Sequence, residues 1–258
     1  MKRSHLLLFR RRSGYPFVNA EATALVAAMS SPPDDARKAI IDTLVGALKT
    51  AGVWTKTELF YDLAAHDSQA ARLNWISPGN NTLTEVNSPT FAADQGYTGN
   101  GTTSYLSAGV NLSALTLYLQ NDAHAGVWFR TAGSVAKYGL GTDTGTILLV
   151  SGNLGATERL TRINTQTNLT SNDNITTGHV VAVRRDSANQ FSYRNGAGEA
   201  TGAQASEART AAPVTILKAG VTLSDQQILA AHLGGQLTSG EVTAYYNALA
   251  AYKTSVGA

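Results

Sequence analysis

The side chains that could do chemistry are few and widely spaced. Hydrolysis of a glycosidic bond by the usual retaining route takes two carboxylates about 5–5.5 Å apart, one as nucleophile and one as acid. Alternate positions of a strand share a face, so an E-x-D-x-x-E run would supply them, and no such run occurs. Between residues 75 and 258 the acids are Glu85, Asp94, Asp122, Asp143, Glu158, Asp173, Asp186, Glu199, Glu207, Asp225 and Glu241, and no two lie within four residues of each other. Proton abstraction beside an acidic sugar would call on histidine and tyrosine. The candidates are His124, His179 and His232, with Tyr138 and Tyr193. Each histidine stands without a surrounding motif, and a structural place is expected for all three. His66-Asp67 reads as the end of a helix.

Other chemistries find less. There is no G-x-S-x-G elbow and no G-x-x-x-x-G-K-[ST] loop, and Gly99-Asn100-Gly101 reads as a turn. The chain has no cysteine, which excludes disulfides and thiolate metal sites. Asn172-Asp173-Asn174 and Asp143 are oxygen-rich, as a calcium site requires. Turns use the same residues for their own backbone hydrogen bonds, so no metal and no cofactor is expected. Stacking remains. The rings are Trp75, Trp128, Tyr97, Tyr105, Tyr118 and Tyr193, with core packing the default. Tyr97, Tyr105, Trp128 and Tyr193 are the candidates for contact with a glycan. The expectation for the whole chain is a non-catalytic one.

The elements that would position these residues begin with a basic arm. Lys2, Arg3, Arg10, Arg11 and Arg12 put five positive charges in the first 12 residues of a chain whose formal net charge is +2. The remainder is therefore net acidic, and bulk charge does not mark it as a nucleic-acid binder; the arm alone could take that role. Leu6-Leu7-Leu8-Phe9 is too short for a signal-peptide core, which needs about 7–15 apolar residues. No run of 18 apolar residues exists, so no membrane-spanning helix is expected. Residues 1–18 are read as an extended arm that anchors on a partner through Lys2, Arg3, Leu7, Phe9, Arg10, Arg11 and Arg12.

Residues 19–74 read as helical. Asn19 would cap a helix carrying Ala22, Leu25, Val26 and Met29 on one face. Ser31 or Asp34 would cap a second, with Ile40, Ile41, Leu44, Val45 and Leu48 at helical spacing and Gly52 closing it. Thr55-Lys56-Thr57-Glu58 has the spacing of a capping box and predicts a third helix with Leu59, Phe60 and Leu63 inward. From Trp75 the pattern changes to short alternating runs broken by Gly, Asn, Asp and Ser. Strands are predicted at 82–86, 89–93, 103–109, 114–119, 124–131, 136–141, 146–151, 158–163, 179–185, 190–194 and 213–219. Asn195-Gly196 is a hairpin signal. Thr238-Ser239-Gly240-Glu241 opens a last helix, with Val242, Tyr245, Tyr246, Leu249 and Tyr252 at three- and four-residue spacing. The fold expected is mainly β, an antiparallel jelly-roll sandwich over 75–258 with N-terminal helices and a C-terminal helix.

Three blocks carry a resemblance. The segment 96–109, GYTGNGTTSYLSAG, resembles the first strands of laminin-G-like, concanavalin A-like domains of phage and prophage proteins. Phe191–Gly196 resembles the Y-x-N-G hairpin of that fold, and Ala231–Val242 its closing strand running into a terminal helix. The stretch Leu44–Trp75 looks like the helical lead-in of those phage proteins. The resemblance implies a bacteriophage virion protein: a decoration, fibre or tail-associated component. Its partners would be capsid, portal or tail proteins, with display in several copies or as a homo-oligomer. The alternative it leaves is a carbohydrate-binding module of a tail appendage that recognises a host surface glycan, and behind that a glycan-degrading hydrolase or lyase, since the same jelly roll serves such enzymes.

Overall fold

The computed structural model describes residues 14–144, 147–153, 158–172 and 176–258. The basic arm, Lys2 to Arg12, lies outside them, as do Asp173 and Asn174. Helix α1 (Ala20–Ala27) and helix α2 (Asp35–Thr50) come first. Asp34 caps α2 by accepting from Arg37 N at 2.8 Å, as its short oxygen-bearing side chain allows. Strand β1 (Thr57–Asp62) and the single helical turn α3 (Ser68–Ala71) follow. Then come β2 (Thr84–Val86), β3 (Thr90–Ala92), β4 (Gly96–Thr98), β5 (Tyr105–Asn111), β6 (Ala123–Phe129), β7 (Lys137–Thr142), β8 (Leu148–Asn153) and β9 (Glu158–Ile163). The chain continues through β10 (Leu169–Asn172), β11 (Gly178–Arg184), β12 (Asn189–Arg194), β13 (Ala197–Ala203), β14 (Pro213–Ile216), β15 (Lys218–Ala219), β16 (Thr222–Leu223) and β17 (Gln227–Gly234). Helix α4 (Ser239–Val256) closes it.

The strands form two facing sheets and a small hairpin. One sheet runs β13-β12-β11-β6-β17-β4-β3, with β1 also paired to β17; the other runs β10-β9-β8-β7-β14-β5-β2. Every described pairing is antiparallel. The sandwich with flanking helices expected from the alternating runs is therefore what the chain builds. Val127 and Phe129 point between the sheets, against Gly139 of the opposite sheet. The opposite face of the first sheet is covered by α4, through Tyr245 stacked on His232 and Tyr246 stacked on Trp128. That helix has the capping box its sequence announces, Thr238 with Glu241, and ends on Gly257 in the left-handed region.

Two sequence-based expectations fail. The third helix is instead β1: Phe60 pairs with His232 and Asp62 with Ala230 in the first sheet. Leu59, Phe60 and Tyr61 are all buried, because the strand is covered on both faces. Tertiary pairing outweighs the local capping signature. The N-terminal region is thus woven into the sandwich rather than set apart as a helical unit. The second failure is 114–119, where Leu115-Thr116-Leu117-Tyr118-Leu119 alternates yet forms no strand. Leu115 and Tyr118 are buried, while Leu117 and Leu119 are 39% and 44% exposed.

Candidate functional site

The loop that fails to be a strand is held by three side chains from elsewhere. The carboxylate of Glu58, on β1, accepts from Thr116 N at 2.8 Å, Leu117 N at 2.7 Å and Tyr118 N at 3.4 Å, and from the Thr116 hydroxyl at 3.1 Å. Arg209 Nη1 donates to the carbonyls of Leu115 and Tyr118, each at 2.7 Å. Buried Asn164 donates to those of Leu119 and Gln120 at 3.0 and 2.9 Å. A carboxylate takes the loop's N–H groups while a guanidinium and an amide take its carbonyls. Charge-assisted bonds of this kind are among the stronger ones, so the loop presents its two leucines on a fixed ledge.

The ledge forms one wall of a 290 Å³ cleft at an end of the sandwich, lined also by Thr55, Lys56, Thr116, Asp122, Gly235 and Gln236. Asp122 Oδ1 accepts from Gln236 N at 2.5 Å, and Gly235 N donates to Lys56 O at 2.8 Å, which fixes the opposite wall. Lys56 Nζ is paired with Glu241 Oε1 at 2.6 Å. Burial opposes ionisation of Glu241, but Lys56 and the Thr238 N–H outweigh it and hold its pKa below the ordinary value. The second oxygen of Asp122, the Gln236 amide and the Thr55 hydroxyl make no side-chain hydrogen bond to the described residues. The cleft thus sets a rigid apolar ledge against three uncommitted hydrogen-bonding groups.

His124 lies directly behind that wall, with Nδ1 2.5 Å from Gly235 O. It belongs to a buried trio under α4. His179 Nε2 and His232 Nε2 are 2.8 Å apart, and the His124 and His179 rings each lie 5.0 Å from that of His232. Desolvation holds all three neutral, lowering His124 to about 4 and His179 to about 3, and His232 well below its ordinary value. Their gathering on one patch was not foreseen from the sequence. No group of three or more His, Cys, Asp or Glu among the described residues is arranged to hold a metal ion. Asp143 is paired with Lys218 at 2.5 Å.

The four aromatic candidates do not converge. Tyr97 is fully buried, its hydroxyl donating to Glu85 at 2.6 Å, so its ring is closed to any glycan and serves the core. Trp128 packs in a cluster with His179 and Tyr246, whose ring centroids lie 5.6 and 5.5 Å from its own and 6.4 Å from each other. Tyr105, on the second sheet, is half-buried under Lys218 Nζ at 4.5 Å. Tyr193 is 6% exposed; with Phe191 and residues 198–201 it lines a separate 260 Å³ trough beside edge strand β13. Arg185 lies against both rings, 4.6 and 5.6 Å from their centroids, and donates to the Tyr193 hydroxyl at 2.7 Å. Of the cleft residues, Asp122 carries no local signature, Gln236 lies in the segment that reads as the closing strand running into the last helix, and Thr55 carries a signature that reads as a helix cap. Leu117 and Leu119 carry one that reads as a strand.

No family model matches the chain, and no curated protein matches its sequence. Solved structures do share the fold. A sialidase of Trypanosoma rangeli, in complex with the inhibitor DANA, is 12% identical at a TM-score of 0.53, with 81% of this chain covered and 38% of the sialidase. Another structure of the Trypanosoma rangeli sialidase gives 0.52 at the same identity and coverage. Domain 4 of AbnA, a GH43 extracellular arabinanase from Geobacillus stearothermophilus in complex with arabinotriose, is 14% identical at a TM-score of 0.49, covering 73% of this chain and 97% of that domain. The chain spans about two fifths of the sialidases' length. The sialidase likenesses show a β-sandwich fold. They also correct the expectation of a non-catalytic chain: this fold occurs within sialidases, so a missing E-x-D-x-x-E run does not set the chain apart from enzymes.

Proposed function

We propose that this chain binds carbohydrate in the cleft between the Leu117–Leu119 ledge and Gln236. The observation that carries the reading is the pinned ledge facing the second carboxylate oxygen of Asp122, the Gln236 amide and the Thr55 hydroxyl, which are uncommitted. A sugar ring has an apolar C–H face and a rim of hydroxyls. A mostly apolar surface with a few fixed polar groups is what binds such a molecule. Preorganisation by Glu58, Arg209 and Asn164 spares the ligand the cost of ordering the loop. The fold is shared with part of a sialidase that has been solved with sialic acid, which favours carbohydrate as the ligand class. The setting proposed with it is the surface of a virion, following the resemblance of 96–109, 191–196 and 231–242, where many copies would raise weak binding by avidity.

Calorimetric titration of the full chain against a panel of neutral and acidic oligosaccharides tests the reading, with the products analysed for chain shortening. Saturable binding is expected, weakened about tenfold by Gln236→Ala or Leu119→Asp. A panel that neither binds nor is shortened would overturn it. Shortening abolished by Asp122→Asn would make the same cleft an active site.

A further inference from the structure

Lys56 and Asp122 are the charged residues among those that line the cleft, and their situations differ. Lys56 Nζ is 2.6 Å from Glu241 Oε1. Glu241 is itself fixed, its other oxygen accepting from Thr238 N at 2.7 Å in the capping box that opens α4. The Lys56 charge is thus already answered within the protein. Asp122 has no ion-pair partner among the described residues: one oxygen accepts from Gln236 N at 2.5 Å, and the other is uncommitted. The two charges that hold the ledge, Glu58 and Arg209, are of opposite sign. Lys56 and Arg209 against Glu58, Asp122 and Glu241 leave one net negative charge, and the unanswered one is the half-buried carboxylate in the cleft wall.

We infer that Asp122 makes the cleft selective for neutral sugars and turns away those that carry a carboxylate or a sulfate. The inference rests on the carbohydrate reading of the cleft and adds the class of sugar to it. An ionised carboxylate accepts hydrogen bonds and donates none. A sugar hydroxyl can donate to the free Asp122 oxygen and accept from the Gln236 amide of the same wall. An acidic group in that place would meet an acceptor with an acceptor and set like charges side by side, where partial burial strengthens their repulsion. Lys56 does not offset this, because drawing it to the ligand would leave Glu241 without its cation. The Leu117–Leu119 ledge does not discriminate, since both kinds of sugar have an apolar C–H face.

The test is calorimetric titration of the full chain at neutral pH with matched pairs of oligosaccharides. The pairs are gluco-, galacto- and manno-configured, each as the neutral form and as the uronic acid oxidised at C6. At least one neutral member should bind, and its acidic counterpart should bind at least tenfold more weakly. Asp122→Asn keeps an oxygen for Gln236 N and puts a donor where the free acceptor stood. It should bring the two members of that pair within about threefold of each other. On the unaltered chain, high salt should narrow the gap by strengthening the acidic member alone, because salt screens charge. An acidic member that binds as tightly as its neutral counterpart would overturn the inference and leave the carbohydrate reading standing. A gap that high salt leaves undiminished, or that a folded Asp122→Asn variant retains, would also overturn it. Binding by no member of any pair would overturn the inference together with the reading it rests on.

Discussion

The imidazole of His232 fills the space that a side chain on Gly126 would need. A Cβ built on Gly126 would stand 2.2 Å from His232 Nε2. The two residues are register partners on adjacent strands, β17 and β6. Only a glycine lets the ring lie flat over the neighbouring strand and reach His179 on the far side. Gly126→Ala should therefore push the ring toward Tyr245, 4.1 Å away in the stack under α4. Overpacking of this kind costs about 1–3 kcal/mol. Urea unfolding would show the loss, and an unchanged midpoint would mean the trio is looser than described.

The same trio sets an acid limit. His124, His179 and His232 are held neutral by burial, at folded values below the unfolded 6.5. Folding is then opposed wherever the unfolded chain takes up protons that the folded chain refuses. Stability is fully present above pH 6.5 and falls with decreasing pH toward about 4, the folded value of His124. Below 6.5 the limiting slope is about 1.4 kcal/mol per pH unit for each histidine. Thermal unfolding between pH 7.5 and 5 should show the decline before the carboxylates titrate. A flat profile in that window would contradict the burial of the three rings.

Lys253 on α4 is buried in an ion pair with Asp62 on β1 and also donates to Leu229 O at 3.1 Å. Desolvation pulls the Lys253 pKa down and outweighs the opposing pull of Asp62. Lys253→Met would strand Asp62 without its cation and should cost about 3–5 kcal/mol. The double change with Asp62→Leu should recover much of that. Chemical denaturation of the three variants checks the order, and equal losses for the single and double changes would contradict it.

Glu58→Gln tests the ledge. An amide keeps one acceptor oxygen where the carboxylate serves three backbone N–H groups, so about 1–3 kcal/mol of stability should go. Glycan affinity should fall with it although Glu58 does not line the cleft. Titration at a temperature where the variant is still folded separates the two effects. Unchanged affinity would mean that the ledge holds its shape without Glu58.

These tests bear on what the sequence could reveal. Strands such as Glu158–Ile163 and Asn189–Arg194, and the capped helix after Thr238, are written in local patterns and appear where those patterns put them. Thr55-Lys56-Thr57-Glu58 has the spacing of a helix start, yet its glutamate is spent on a loop 58 residues away. The alternation of Leu115–Leu119 looks like a half-buried strand because alternate burial is present. What the pattern does not encode is a strand partner, and Glu58, Arg209 and Asn164 take the backbone groups a neighbouring strand would have taken. The histidines share a face through strand order, β11-β6-β17, which no spacing reveals. The cleft therefore could not be read in advance, since its walls come from segments near residues 55, 117 and 236.

Amide hydrogen exchange of the full chain, with and without a saturating oligosaccharide that binds it, addresses the site most directly. Binding at the proposed cleft predicts added protection in residues 116–122 and 235–236, with the trough at 191–201 unchanged. Protection confined to 191–201, around Tyr193 and Phe191, would contradict the assignment and move the site to the sheet edge.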